Sequence, residues 1–278
     1  MNARENTETT SMELTAFNFA EDSSNRIHDD KVARQYGFDG GLVPGIAVFA
    51  YMCHPVVARW GSRWFERGCI RATFIKPVYA GNRVTVVAGP VGRQGGDLEI
   101  NVKGPAGDLC AAGLARLSGD RGAAPRSIDY PKSEPPPPDR RWAPAKEALR
   151  PGTTLGSVAF SEICAEALDR VRRDYLDDLD IYSGTGAPYH PAYLLAQANQ
   201  ILMKNVDLGP WIHVKSEMGT FALPKAGEKL DIRGRIARAY NKKGHDMAEL
   251  DLAIFDDGER AVAAITHTAI VRLRQEKV

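Results

Sequence analysis

The sequence contains only four cysteines, and no two of them form a CxxC motif. Cys53, Cys69, Cys110 and Cys164 are far apart, and each lies in an apolar segment, where a cysteine behaves as a small hydrophobe. This spacing argues against a disulfide framework or a cysteine-based zinc site and fits a reducing compartment. The sequence also has no HExxH motif and no carboxylate cluster, so we expect no metal.

The chain also lacks an excess of charge and a membrane segment. Its 36 basic and 35 acidic residues leave a net charge of +1, which provides no broad field to attract nucleic acid or an acidic membrane. The N-terminus has no apolar core typical of a signal peptide, and the most apolar run, from Val43, contains two prolines and is too short to span a bilayer. We therefore expect a cytoplasmic protein with no nucleic-acid or membrane partner.

Nucleotide-binding motifs are missing as well. No GxGxxG follows a strand-like run, and no GxxxxGK[ST] occurs, which disfavours nucleotide-dependent redox enzymes and NTPases. We accordingly expect no cofactor.

A proline-rich stretch divides the chain almost evenly. Between Asp120 and Pro151 it contains four consecutive prolines, which cannot lie in a helix or a central strand and favour extended geometry. With 278 residues the chain is long enough for two domains of about 130 residues each. We predict an N-terminal domain over residues 1–120, a linker over 121–152 and a C-terminal domain over 153–278.

The two halves carry a faint internal repeat. A shift of 147 positions superposes Pro44 on Pro191, Phe74 on Phe221 and Pro77 on Pro224. Each half has an apolar helix-like segment followed by four strand-like runs, and "AELDLAI" alternates as a half-solvated antiparallel strand does. Because the strands come in runs and do not alternate with helices, the pattern predicts an α+β fold in which each half wraps a sheet around a helix. The two sheets are expected to pack side by side.

The stretch from Asn25 to Gly45, "NRIHDDKVARQYGFDGGLVPG", concentrates polar side chains and glycines ahead of the first apolar helix. His28 is the strongest acid/base candidate, because imidazole titrates near neutral pH. The glycines allow the backbone to approach a ligand, and the helix that begins near Pro44 directs N–H groups toward it. A simpler alternative is that Asn25 or Asp29 caps a short helix that ends at Gly37.

The order of elements and this stretch resemble the MaoC-like hydratases and dehydratases in their tandem, double hot-dog form. That family carries an Asp, then Asn-Pro-Ile/Leu-His, an acidic residue, an Ala and Gly-Phe, followed by a loop into the central helix. When His28 is placed on the family histidine, Ser23 occupies the aspartate position and Asp22 misses it by one residue. The family's His-Gly at the helix entrance is Pro44-Gly45 here. The segment supplies, in the family's order, Asp22, Asn25, Ile27, His28, Asp29, Ala33, Gly37 and Phe38.

The resemblance implies a lyase of fatty acid metabolism that acts on coenzyme A or acyl-carrier-protein thioesters. Such an enzyme hydrates trans-2-enoyl thioesters or dehydrates 3-hydroxyacyl thioesters, with a water held between an Asp and a His and a loop that polarises the carbonyl. His28 is then the acid/base, Asp22 orients it or shares the water, and Asp29 and Asp30 are further carboxylate candidates. The expected substrate-binding residues are Asn25, Gly40, Gly41, Val43, Pro44, Gly45 and His190.

Other interpretations remain open. His190 lies before the second apolar helix and could equally be a helix-start histidine, and His54, His213, His245 and His267 are interpreted as structural. Thioester hydrolysis is an alternative activity, because hot-dog proteins include thioesterases. The displaced motif also fits a non-catalytic protein that binds acyl thioesters or a partner subunit. The chain is expected to be a monomer of tandem repeats or a homodimer.

Overall fold

The structure is a computed structural model, and it describes residues 8–91, 96–117 and 123–274. The first half contains β1 (Thr10–Thr15), β2 (Gly68–Phe74), β3 (Arg83–Val91), β4 (Asp97–Lys103) and β5 (Leu109–Leu117). The second half contains β6 (Val158–Phe160), β7 (Ile212–Thr220), β8 (Leu230–Lys242), β9 (His245–Asp256) and β10 (Ala261–Arg272). The helices are α1 (Asp30–Gln35), α2 (Gly45–Trp60), α3 (Ser62–Arg67), α4 (Cys164–Arg173) and α5 (Pro191–Asn205).

All ten of these strands join one antiparallel sheet. Their order is β1-β3-β4-β5-β2-β7-β10-β9-β8-β6, so the second half repeats the first in reverse about the β2–β7 seam. The α+β prediction and the internal repeat are thereby confirmed, but the two sheets expected to pack side by side are continuous. Pairing β2 with β7 satisfies the backbone groups that each half would otherwise leave on an open edge.

The seam separates a buried face from a solvent-facing one. Ile70 of β2 lies opposite Met218 of β7, and both side chains are buried. The next pair, Arg71 and Glu217, points outward and forms an ion pair with 3.0 Å between Arg71 Nε and Glu217 Oε2. The period-2 alternation of each strand thus places one face against the helices.

Helices α2 and α5 cover the buried face of the sheet, as the two apolar segments predict. Most residues of both helices are buried, and the two helices contact each other. The main hydrophobic core includes residues from both halves. None of the helices in the described ranges is long and apolar enough to cross a membrane.

The described part of the proline-rich segment lies against the second half. The Tyr130 hydroxyl donates a hydrogen bond to Asp251 at 2.8 Å, and the Trp142 amide donates to the Asn205 carbonyl at 3.0 Å. Leu149 is fully buried in the core. The segment therefore packs as part of the fold; the domain boundaries given above stay a prediction.

Candidate functional site

The stretch around His28 forms two short helical turns with polar caps. Asn25 caps a 3₁₀ turn over Arg26–His28, and Asp29 caps α1 by accepting a hydrogen bond from the Val32 amide at 2.9 Å. Gly37 follows α1 with a φ of 81°, a conformation that favours glycine. The capping alternative is therefore confirmed for Asp29 and α1.

The same stretch forms part of the wall of two adjoining cavities between the halves. The larger cavity is an open cleft of about 1000 Å³, and the smaller, more apolar one has about 250 Å³. We call the five residues that line both cavities the junction. The junction consists of Asn25, His28, Pro44, Asn199 and Trp211.

His28 presents one ring nitrogen to the junction and the other to the backbone. Its Nδ1 lies 2.7 Å from the Leu42 carbonyl oxygen, which can only accept, so Nδ1 carries the proton. Burial lowers the pKa of His28, which favours the neutral ring. Nε2 therefore carries the lone pair and, at the junction, accepts a long hydrogen bond from Asn25 Nδ2 at 3.4 Å.

Asn25 links the two halves beside His28. Its Oδ1 accepts from the Trp211 amide at 3.2 Å, and its Nδ2 donates to the Trp211 carbonyl at 3.0 Å. This two-point contact is buried and ties the first-half turn to the residue that precedes β7. Asn25 therefore positions the junction, in addition to lining it.

The N-terminus of α2 supplies two unpaired backbone N–H groups at the cavities. Pro44 is the N-cap and provides no capping side chain, and the amides of Gly45 and Ile46 have no acceptor within the described part of the chain. Gly45 lines the smaller cavity and Ile46 the larger one. Such a helix start is suited to an oxygen that carries partial negative charge.

The double glycine has a different role from the one predicted. Gly40 and Gly41 line neither cavity; a Cβ at Gly41 would lie 2.1 Å from the His28 carbonyl oxygen. The Gly41 amide donates to Asp30 Oδ1 at 2.7 Å and does not face the junction. The two glycines permit close packing of this loop on the His28 turn, while Val43, Pro44 and Gly45 line the smaller cavity.

The structure does not bring the predicted carboxylates to His28. Asp22 is exposed and lines neither cavity, although Ala20 and Ser23 on either side of it line the larger one. Asp29 caps α1 and pairs with Arg26 at 2.6 Å, and the Val32 amide is the main reason that its pKa is lowered. Ser23, at the family's aspartate position, lines the larger cavity.

His190 is buried and lines neither cavity of the junction, which argues against the predicted contact with substrate. Its Nδ1 accepts from the Ala192 amide at 3.0 Å and so caps α5, while Nε2 donates to Asp177 at 3.2 Å. The other oxygen of Asp177 accepts from His54 of α2 at 3.0 Å. This His54–Asp177–His190 bridge connects the central helix of the first half to the start of that of the second.

The bridge includes the group of side chains best arranged for a metal within the described residues. Donor atoms of His54, Asp177 and Asp178 lie within 4.8 Å of one another. Both oxygens of Asp177 already accept hydrogen bonds, from His54, His190 and the Leu179 amide. The hydrogen bonds account for this group without an ion.

His213, which the sequence analysis interprets as structural, belongs to a buried polar group at the wall of the smaller cavity. His213 lines the smaller cavity, and its Nε2 lies 2.8 Å from the Ser216 hydroxyl, which lies 3.0 Å from His267 Nδ1. The three residues lie on neighbouring strands, with Ser216 directly opposite His267. Only the pairing of β7 with β10 brings them together, and no local pattern signals it.

Comparisons with solved structures give the fold a name. A protein of Chloroflexus aurantiacus described as a MaoC-domain dehydratase matches with a TM-score of 0.69 at 9% identity, over 96% of this chain and 95% of that one. A double hot-dog protein of Mycobacterium tuberculosis matches with a TM-score of 0.65 at 14% identity, over 95% and 96%. A MaoC-like dehydratase matches with a TM-score of 0.63 at 12% identity, over 97% and 99%.

Sequence comparison finds neither a matching family model nor a matching curated protein. At these low identities the structural likeness establishes the double hot-dog fold, as the sequence predicts. Proteins with this architecture include MaoC-like dehydratases and an oleoyl thioesterase of Lactobacillus plantarum, which matches with a TM-score of 0.52 at 10% identity over 98% of both chains.

Proposed function

We propose that the junction binds an acyl thioester and that the protein adds water to trans-2-enoyl thioesters or removes it from 3-hydroxyacyl thioesters. The observation that carries this proposal is the geometry of His28. A neutral imidazole with a fixed tautomer keeps Nε2 unprotonated at the junction, and Gly45 and Ile46, whose backbone N–H groups are unpaired, line the same two cavities. A base and an oxyanion site are two requirements for forming an enolate next to a thioester carbonyl.

In the dehydration direction, His28 acts first as the base and then as the acid. His28 Nε2 takes the proton from C2, and the charge that develops on the thioester oxygen is stabilised by the amides of Gly45 and Ile46. The C3–O bond then breaks, the hydroxyl leaves with the proton from His28, and the products are water and the 2-enoyl thioester. Hydration is the reverse. One histidine thus replaces the usual pair, and the Ser23 hydroxyl orients the departing or attacking oxygen.

The two cavities differ in a way that suits a thioester. The larger one is open, and its lining includes charged side chains of both signs, which fits a polar carrier arm; they are Lys132, Lys229, Arg170, Asp231 and Asp257. The smaller one is lined mainly by apolar side chains, including Val48 and Phe74, which fits an acyl chain. The reacting carbon atoms would then lie at the junction. Both a coenzyme A thioester and a carrier-protein thioester fit this division.

A second candidate function is binding without catalysis. It is favoured by Ser23 and by the position of Asp22, because the carboxylate that the MaoC-like pattern places beside the histidine does not reach the junction. Such a protein would hold acyl thioesters or act beside an active subunit.

The test uses trans-2-enoyl-CoA thioesters of increasing chain length. Loss of the conjugated enoyl absorbance without release of free thiol reports hydration, whereas thiol release reports thioester hydrolysis. We expect His28→Ala to abolish the absorbance loss and His245→Ala, a change in the β8–β9 hairpin away from both cavities, to preserve it. Tight binding with no turnover at any chain length would reject the enzyme in favour of the binding protein.

A further inference from the structure

The smaller cavity reaches the protein surface away from the junction. Five of the residues that line it are exposed or partly exposed and take no part in the larger cavity. We call these five residues the mouth; they are Phe38, Ile75, Lys76, Val214 and Ile270. Ile75 is 51% exposed and is one of the few large apolar side chains in the described ranges that solvent reaches to this extent. An exposed apolar residue in the wall of a cavity shows that the cavity is open to solvent there.

Buried apolar side chains connect the junction to the mouth. Val43, Val48 and Val78 line the smaller cavity but not the larger one, and each is at most 5% exposed. One cavity is thus lined by the junction, by these valines and by the mouth, so it forms a continuous passage between the junction and solvent. An acyl chain that starts at the junction therefore runs toward an opening.

The chemistry of the mouth suits the end of an aliphatic chain. Phe38 and Ile270 pack with the buried Leu42 in a small hydrophobic cluster that is separate from the main core. Lys76 is the charged member of the mouth, and its ammonium lies 3.2 Å from an Asp108 carboxylate oxygen, which compensates the charge. An exposed apolar patch that continues a cavity is typical of a ligand-binding groove.

We propose that the smaller cavity is open at both ends, so that long acyl chains emerge at the mouth and the substrates include long-chain and terminally substituted acyl thioesters. This inference rests on the proposed function and names the substrate class of the same site. A methylene group is about as large as a water molecule in the liquid, about 30 Å³, so the cavity of about 250 Å³ holds about eight of them. With the first three carbons at the junction, chains beyond about C11 would extend into solvent.

The first experiment measures the binding of saturated acyl-CoA thioesters from butanoyl-CoA to hexadecanoyl-CoA, each below the concentration at which it forms micelles. Every methylene that leaves water for the apolar wall should tighten binding about fourfold (about 0.8 kcal/mol). Beyond about C11 the dissociation constant should stay level, because further methylenes remain in solvent. A cavity closed at its far end would instead bind the longer chains progressively more weakly.

A substitution at the mouth places the chain end. Val214→Trp puts a large ring at the opening and should weaken the binding of hexadecanoyl-CoA about tenfold, since the chain loses its contacts with the wall. Binding of butanoyl-CoA should be kept, which also shows that the variant is folded. Val91→Trp is the matched control, because Val91 is an exposed valine at the end of β3 that lines neither cavity. It should leave the whole series unchanged.

A second measurement needs no variant. Dodecanoyl-CoA that carries a nitrobenzoxadiazole group on its terminal carbon should bind about as tightly as dodecanoyl-CoA itself. Iodide should quench the fluorescence of the bound probe as it does in free solution, because the group lies outside the mouth. A chain end enclosed in the protein would exclude the bulky group or shield it from iodide.

The outcomes separate this inference from the proposed function. Weaker binding beyond about C11, exclusion of the labelled probe, or its protection from iodide overturns the open passage, and hydration of short enoyl thioesters would still support the proposed function. Unchanged binding of hexadecanoyl-CoA in folded Val214→Trp also overturns it. Level affinity with full quenching but no turnover supports the passage and rejects hydration. Failure of the protein to bind any acyl-CoA rejects both.

Discussion

Replacing Asp177 with Asn is expected to destabilise the protein strongly, because Asp177 joins the two central helices. The carboxylate side chain is 1% exposed and accepts from His54, from His190 and from the Leu179 amide at 3.0–3.2 Å. Asn preserves the shape but removes the charge and turns one N–H₂ group toward a histidine N–H donor. Breaking a buried, hydrogen-bonded charge pair costs about 3–5 kcal/mol. A loss of about 3 kcal/mol would lower the unfolding temperature by about 6–12 °C.

The destabilisation is also expected to depend on pH. Burial alone would raise the pKa of Asp177, but hydrogen bonds from His190 and His54 outweigh it, so the pKa lies below the ordinary value of 3.8. Its contribution is present above pH 3.8 and is lost as the pH falls further. The hydrogen bond to Asp177 raises the pKa of His54 above 6.5. The stability that His54 contributes is therefore fully present below pH 6.5 and is lost as the pH rises through the pKa of His54 in the folded protein.

The free-energy penalty of Asp177→Asn should therefore be greatest between pH 4 and pH 6.5, between the two ordinary values of 3.8 and 6.5. Urea unfolding of both proteins at pH 5.5 and pH 8.5 measures it, provided that the m-values agree. Asp178→Asn is the matched control, because Asp178 is exposed and should change stability by less than about 0.5 kcal/mol. A penalty below 1 kcal/mol, or one equal at the two pH values, would refute the reasoning.

Three further changes test the junction. Gly41→Ala should reduce both stability and enoyl hydration, because its Cβ meets the His28 carbonyl oxygen; Gly96→Ala, with open space around it, should leave both unchanged in the same assays. Ser23→Asp should raise the pKa of His28, as measured by NMR titration, and should increase turnover. An unaltered pKa of His28 would mean that the new carboxylate does not reach the ring. Asn25→Ala should cost about 2–3 kcal/mol in urea unfolding, since it leaves a buried backbone N–H and C=O of the other half unpaired, and a loss below 0.5 kcal/mol would contradict this role.

The strand runs and the two apolar helices could be read from the sequence because their signals are local. Alternation with period 2 marks β3, where Val84, Val86 and Ala88 are buried in turn. The short edge strands β1 and β6 and the helix α4 were not predicted. β6 has only three residues, too few for a pattern, and its pairing with β8 depends on the sheet already being formed.

The site was predictable only in part, because only some of its residues are close together in the sequence. His28 and the helix start at Pro44 are close in sequence, and local motif logic finds them. Trp211 and His213 come from the other half, and only the β2–β7 seam brings them to the first-half residues. The sequence predicts that Asp22 and Asp29 lie beside His28 at the junction, whereas neither lines the cavities. Spacing along a chain does not tell which way a turn directs a side chain.

The β2–β7 seam has a consequence for how the protein responds to dilution. In an assembly of two separate chains, such a seam would form by association. It would then become less stable as the protein is diluted. Here one covalent chain carries both edges, so the second half meets the first at an effective concentration on the order of millimolar, set by the connecting segment. The site shared by the two halves therefore stays assembled in solutions far too dilute for a pair of free subunits to remain together.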